Sequence, residues 1–106
     1  MSKTIRTAAA PTKDYVASIR RYLRITTSAL DGEITDLISA ARDDLALGGV
    51  LTDRVENESD ALIKHAVAVF VKAGFGLDNA DADKYREAYT DLKKRLMNAD
   101  QYIKEA

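Results

Sequence analysis

Residues 22–45 read YLRITTSALDGEITDLISAARDDL, and within them one helical pattern stops and another starts. An apolar stripe ends at Leu23 and Ile25. The small hydroxyl residues Thr26, Thr27 and Ser28 follow, and a second stripe then runs through Leu30, Ile34, Leu37, Ile38, Ala41 and Leu45. Spacings of three and four put this second set on one face of a helix. Ser28 is placed to cap that helix, with Asp31 three residues on, as in a capping box. Asp31 and Glu33 suit the positive end of the helix dipole, and Gly48 with Gly49 gives the chain the freedom a helix end needs. A connector of three small residues makes the two helices direct neighbours, so the stretch predicts a tight helical hairpin.

The pattern extends in both directions. Before it, residues 12–24 carry Tyr15, Val16, Ile19, Tyr22 and Leu23 on one face, with Thr12 as the cap behind the single proline, Pro11. After it, residues 48–58 have no clear period, although Val50, Leu51 and Val55 are apolar and can pack down or pair briefly as an extended segment. A third helix over residues 59–73 is apolar almost all round, which predicts a central position or a subunit interface. Gly74, Phe75 and Gly76 close it. A fourth helix over residues 81–102 starts beyond Asn79, a candidate cap, and its stripe is Tyr85, Ala88, Tyr89, Leu92, Leu96 and Ala99. Tyr15, Tyr22, Tyr85 and Tyr89 read as core, whereas Tyr102 and Ile103 are less easily placed there. The expected fold is all-α: a small four-helix bundle with short connectors and one longer loop, about 48–58, before the third and most apolar helix. Residues 1–11 read as a flexible arm and 12–106 as a single domain, with 97–106 a mobile C-terminal tail.

Composition bounds the function. A chain of 106 residues, 46% hydrophobic and 31% charged, suits one small globular domain. Its formal net charge of −1 gives no overall case for a nucleic-acid or anionic-membrane binder. With no Cys there is no disulfide, thiolate nucleophile or zinc–thiolate site. No run approaches the roughly 18 apolar residues of a membrane span, and residues 1–11 lack the apolar core of a secretory signal. Charge distribution says more than the sum. Residues 1–27 hold six Lys/Arg against Asp14 alone, and residues 53–60 hold four acids against Arg54. Arg20, Arg21 and Arg24 are therefore candidate subunit-interface cations, and Asp53, Glu56, Glu58 and Asp60 a candidate acidic interface loop, for head-to-tail contact between copies or simply for a soluble surface.

The inventory of chemistry is thin. His65 is the single histidine, with Ala61, Leu62, Ala68 and Val69 at helical spacing, so it reads as a structural or interface residue without an orienting acid. Residues 79–83, NADAD, resemble the start of a calcium loop, but Lys84 and Thr90 stand where the sharp turn and the bidentate ligand belong. Asp43 and Asp44 read as a solvated face rather than a metal pair. No phosphate-loop, dinucleotide or zinc-protease motif is present. Lys93, Lys94 and Arg95 form a second basic cluster, explained by a solvated helix face or by a phosphate contact.

Taken in order, the helix closing on YLRIT, the acid-rich helix start with LISAARDDL, the apolar ALIKHAVAVFVKAGFG and the final KYREAYTDLKKRLMNADQYI resemble the head–tail connector (adaptor) family of tailed bacteriophages. The resemblance covers residues 12–103; the loop at 48–58 departs from the family in detail, and residues 1–10 have no counterpart. It implies a structural virion protein, not an enzyme, with no cofactor. It implies assembly in the host cytoplasm into a homo-oligomeric ring, usually dodecameric, beneath the portal protein. Such a ring extends the channel for passing double-stranded DNA, contacted non-specifically, and offers a platform to the stopper, with no membrane involved. By the same resemblance Leu96, Met97, Tyr102 and Ile103 are candidate portal-docking residues. The rival reading is a small helical DNA-binding module using Arg20, Arg21 and Arg24 on phosphate. Against it, the second helix carries Asp31, Glu33, Asp36, Asp43 and Asp44, which a duplex would repel.

Overall fold

The structure, a computed structural model, describes residues 10–75 and 80–105. Four long helices form as expected: α1 (Lys13–Tyr22), α2 (Asp31–Leu47), α4 (Ala61–Gly74) and α5 (Ala82–Met97). Two single turns accompany them, α3 (Thr52–Val55) and α6 (Asp100–Ile103). No strand occurs among the described residues. The apolar α4 lies at the centre, packed against α2 on one side and α5 on the other, while α1 packs on α2. Ile19 of α1, Ile34, Ile38 and Leu45 of α2, and Ile63, Val67 and Val71 of α4 are sealed from solvent in one core. Such a core carries most of the stability, at about 1.5–3 kcal/mol per fully buried aliphatic side chain before conformational entropy is set against it.

Several sequence expectations shift by a turn. Thr12 does cap α1, its hydroxyl accepting from the Tyr15 N–H. Ser28 does not cap α2. Its carbonyl accepts the Asp31 N–H in a tight turn, the Thr27 hydroxyl takes the Ala29 N–H, and α2 begins two residues later behind Leu30, which makes no side-chain cap bond. Asp31 is instead turned towards α1, where Arg20 donates to its two carboxylate oxygens at 3.0 and 3.3 Å. The loop at 48–58 is not extended; it contains α3, and Val50 and Val55 are buried. The cap of α4 is Asp60, which accepts from the Leu62 and Ile63 N–H groups. Asn79, expected as the cap of the fourth helix and the first residue of the calcium-loop-like run, lies outside the described residues.

The fourth predicted helix is broken. It stops at Met97, Asn98 bonds back to the Lys94 carbonyl, and Ala99 turns extended before α6. This bend brings Tyr102 under the start of α4, so Tyr102 is a core residue with 5% exposure, against expectation. Tyr22, expected in the core, is 40% exposed. Its ring instead covers the Lys72 ammonium at 5.6 Å, and Tyr85 of α5 covers the same cation at 5.2 Å, so one lysine joins three helices.

Helices α1 and α2 end in the same way. Arg24 and Ile25 donate to the carbonyls of Arg21 and Arg20; Gly49 and Val50 donate to those of Ala46 and Leu45. This paired closure needs a left-handed residue just past the helix. Gly49 supplies it at φ 115°, but at the end of α1 the position is held by Arg24 at φ 63°. A side chain in that region costs on the order of 1 kcal/mol. Arg24→Gly is therefore expected to raise the melting temperature by a few degrees and Gly49→Ala to lower it, both read by thermal denaturation monitored by circular dichroism.

Candidate assembly surfaces

One end of the bundle is tied by a buried ion pair that sequence reading missed. Arg42 is 1% exposed. It donates from Nη2 to Glu58 at 3.2 Å, and its guanidinium lies 5.1 Å from the centre of the Tyr15 ring. Glu58 also accepts from the Thr12 N–H at 3.0 Å and from the Thr12 hydroxyl at 2.6 Å. Partial burial of Glu58 works against its charge, but the hydrogen bonds from Thr12 and Arg42 outweigh it and hold the carboxyl below the usual glutamate range. Burial pushes the Tyr15 hydroxyl above its ordinary value, with Arg42 pulling the other way. The clue in the sequence was positional: Arg42 sits four residues beyond Ile38, on the buried side of α2, where a solvated arginine has no place.

A second tie joins α2 to α5. Asp44 accepts from the Tyr89 hydroxyl at 2.6 Å and from Lys93 Nζ at 3.0 Å. Burial opposes its charge, yet these donors hold it below the ordinary aspartate value, and burial together with the Asp44 charge raises Tyr89 well above the ordinary tyrosine value. The Tyr89 ring meets Phe70 edge-on at 5.0 Å. Of the acidic pair, therefore, Asp44 is structural and Asp43 is exposed.

The remaining candidates divide between interior and surface. Arg20 is spent on Asp31, while Arg21 and Arg24 are exposed. In the acidic loop, Glu58 belongs to the ion pair and Asp60 caps α4 and accepts from the Tyr102 hydroxyl at 3.0 and 3.1 Å. Asp53 is exposed and Glu56 half-buried. At the C-terminal end, Leu96 and Tyr102 are buried, and Met97 and Ile103 are half-buried against the same core. The tail is latched by two further bonds, from the Leu51 N–H to the Tyr102 carbonyl and from Arg54 Nε to the Gln101 carbonyl, each 2.8 Å.

Two surfaces are left over. Between α1 and α4 runs a hollow of about 460 Å³ lined by Ser18, Arg21, Tyr22, Ala61, Lys64 and His65, among others, and no carboxylate lines it among the described residues. His65 stands exposed in this hollow beside two cations, not in the core and without an orienting acid. On the outer side of α2, Glu33, Asp36, Ala40, Asp43 and Leu47 are all exposed and recur every three or four residues, a stripe with no Lys or Arg. Leu47 is 87% exposed. Among the described residues no group of three His, Asp or Glu is placed to hold a metal ion, and no helix is long and apolar enough to cross a membrane.

A family model described as phage connector protein matches residues 16–103, most of the chain. The chain belongs to the phage connector protein family. No curated protein and no solved structure matches it. As a connector it is a structural protein of the virion that works by contact with other phage head and neck proteins. The surfaces just described are what this connector offers for such contacts.

The buried tie makes a specific demand on the connector. Glu58→Gln leaves the Arg42 charge without its partner and is expected to cost about 2–4 kcal/mol by chemical denaturation at neutral pH. Adding Arg42→Met removes the stranded charge and should return part of that loss. Because folding lowers the Glu58 pKa, its contribution is present above the ordinary glutamate value of 4.5 and is lost as pH falls below it. The acid limb of the stability–pH curve should accordingly be shallower in Glu58→Gln than in the wild type.

Proposed function

We propose that this connector assembles as a ring beneath the portal protein, extends the DNA channel and links the head to the stopper. The observation that supports the reading is the exposure of Leu47 and Leu62, 87% and 53%, on a family member built to join other proteins. Isolated exposed leucines are ordinary. Leu47 stands on a face of α2 whose charges are all acidic, the pattern of an apolar contact with a charged rim, while Leu62 lies at the start of α4, whose lysines are Lys64 and Lys72. A ring of the dodecameric kind needs one face of each copy to meet a different face of the next. Passing DNA needs only a non-specific cationic lining, for which the exposed Arg21 and Arg24 are candidates. A free-standing DNA-binding module fits less well, because the outer stripe of α2 is acidic.

The candidate portal contacts require motion. Leu96 and Tyr102 are buried, so in this reading the C-terminal tail docks by exchanging its bonds to Leu51, Arg54 and Asp60 for contacts on the portal. Met97 and Ile103, already at the surface of the core, make the first contact. Deleting residues 96–106 would remove two core residues, so a point substitution is the cleaner probe.

The direct test is the mass of the purified protein, alone and mixed with its matching portal, by light scattering with negative-stain imaging. A free ring or a portal-bound annulus is expected; a monomer that ignores the portal overturns the reading. Tyr102→Phe removes the bond to Asp60 at a cost of about 1 kcal/mol. If the tail must unlatch, the same change should tighten portal binding by up to about five-fold, because the competent state becomes less costly to reach. Binding that weakens instead would place the tyrosine hydroxyl in the contact itself.

A further inference from the structure

We propose that the hollow between α1 and α4 is the seat for the acidic α2 stripe of a second copy, joined head to tail. The inference rests on the ring assembly proposed above and names the two faces that build it. The buried lining residues of the hollow are Ile19 and Ala68, and small Ser18 and Ala61 line it nearer the surface, which lets another helix approach closely. Its cations are Arg21 and Lys64, with His65 and exposed Tyr22 on the same lining and Leu62 exposed on α4. The stripe supplies the opposite charges from Glu33 and Asp36, small Ala40 at its middle, and Leu47 at its end. At about 1.5 Å per residue, the stripe from Glu33 to Leu47 runs about 21 Å and the α4 wall of the hollow from Ala61 to Ala68 about 10 Å, so the hollow seats about half of the stripe.

These faces cannot meet within one chain. The stripe lies on α2 opposite Ile34, Ile38, Ala41 and Leu45, the side packed into the core, whereas the hollow opens beside α1 on α4. Contact between them is therefore between copies and, since the faces differ, it propagates from copy to copy. The loop at 53–60 is the weaker partner for the basic face, because Glu58 and Asp60 are committed to Arg42, Thr12, Tyr102 and the α4 cap. The energy sits in Leu47, Leu62 and Tyr22, while the ion pairs at the rim set direction and make assembly salt-sensitive.

The absence of native cysteine makes the pairing directly testable in the full chain. Ala40→Cys and Ala61→Cys each place one thiol at an exposed position on one of the two faces without altering a charge. The two variants are mixed in a glutathione redox buffer, free and bound to the portal. A mixed disulfide exceeding either symmetric one by about ten-fold is expected, since docking raises the effective concentration of the two thiols. Adding Arg21→Glu to the Ala61→Cys variant should remove the excess, and pairing it with Ala40→Cys carrying Glu33→Lys and Asp36→Lys should restore it. Symmetric disulfides in equal or greater amount overturn the pairing. A portal-bound annulus that forms without the mixed disulfide overturns the pairing and leaves the connector reading intact; no annulus and no disulfide overturns both. Binding of a DNA duplex that Arg21→Glu abolishes, with no mixed disulfide, assigns the hollow to nucleic acid instead.

Discussion

Much of the bundle depends on a single carboxylate. Glu58 takes the N–H and hydroxyl of Thr12, which fixes the first turn of α1, and the guanidinium of Arg42, which fixes the middle of α2. Two residues later Asp60 caps α4 and accepts from Tyr102, which fixes the C-terminal turn. One short loop thus sets where two helices begin and where the chain's last helical turn lies. In energy the Arg42–Glu58 pair is replaceable, since well-packed apolar residues commonly do as well as a buried ion pair. What they lack is direction. Apolar stripes can slide along one another by a turn, whereas a carboxylate shared between Thr12 and Arg42 admits one register of α1 on α2.

The sequence made the periodic parts of this fold legible and left the ties obscure. Ile34, Ile38, Ala41 and Leu45 announce a buried face by spacing alone, and Thr12 behind Pro11 announces a cap, because both signals are local. Ser28 misled because a hydroxyl can serve a turn as well as a cap, and the tie between Arg20 and Asp31 that accompanies the later start of α2 spans eleven residues of sequence. Arg42 was hidden by its type: arginine is usually solvated, and a partner sixteen residues on helps to make its burial tolerable. Tyr102 looked unplaceable because helical extrapolation carries it past the end of α5, and the bend at Asn98 and Ala99 has no strong sequence signal. The same long-range ties blurred the candidate surfaces. Arg20 and Arg21 are neighbours in sequence, yet one is spent inside the fold and the other faces solvent.

Folding therefore sorts the charges. Asp31, Asp44, Glu58 and Asp60 are drawn into internal bonds, as are Arg20, Arg42 and Lys93. The cations Arg21 and Lys64 line one hollow together with His65, and Glu33 and Asp36 remain along one helix. A net charge of −1 is the sum of two unlike faces, which is why composition gave no hint of either. Arg24 fits this sorting. A glycine would satisfy its backbone at lower cost, so the side chain at that exposed corner is held against local strain, as at positions where the side chain serves a contact.

The segregation also bears on how a connector avoids the wrong assembly. Two basic hollows brought together repel, as do two acidic stripes, so the symmetric dimers that usually dominate protein association are disfavoured by charge before any shape is considered. The unlike pairing is favoured, but each rim ion pair is exposed and weak. One contact of this kind holds two copies loosely, whereas closure of a ring gives every copy two such contacts at once, and a platform such as the portal raises the effective concentration of the next copy. In the proposed ring, weak, directional and unlike faces would keep single copies apart while allowing the closed ring to hold together.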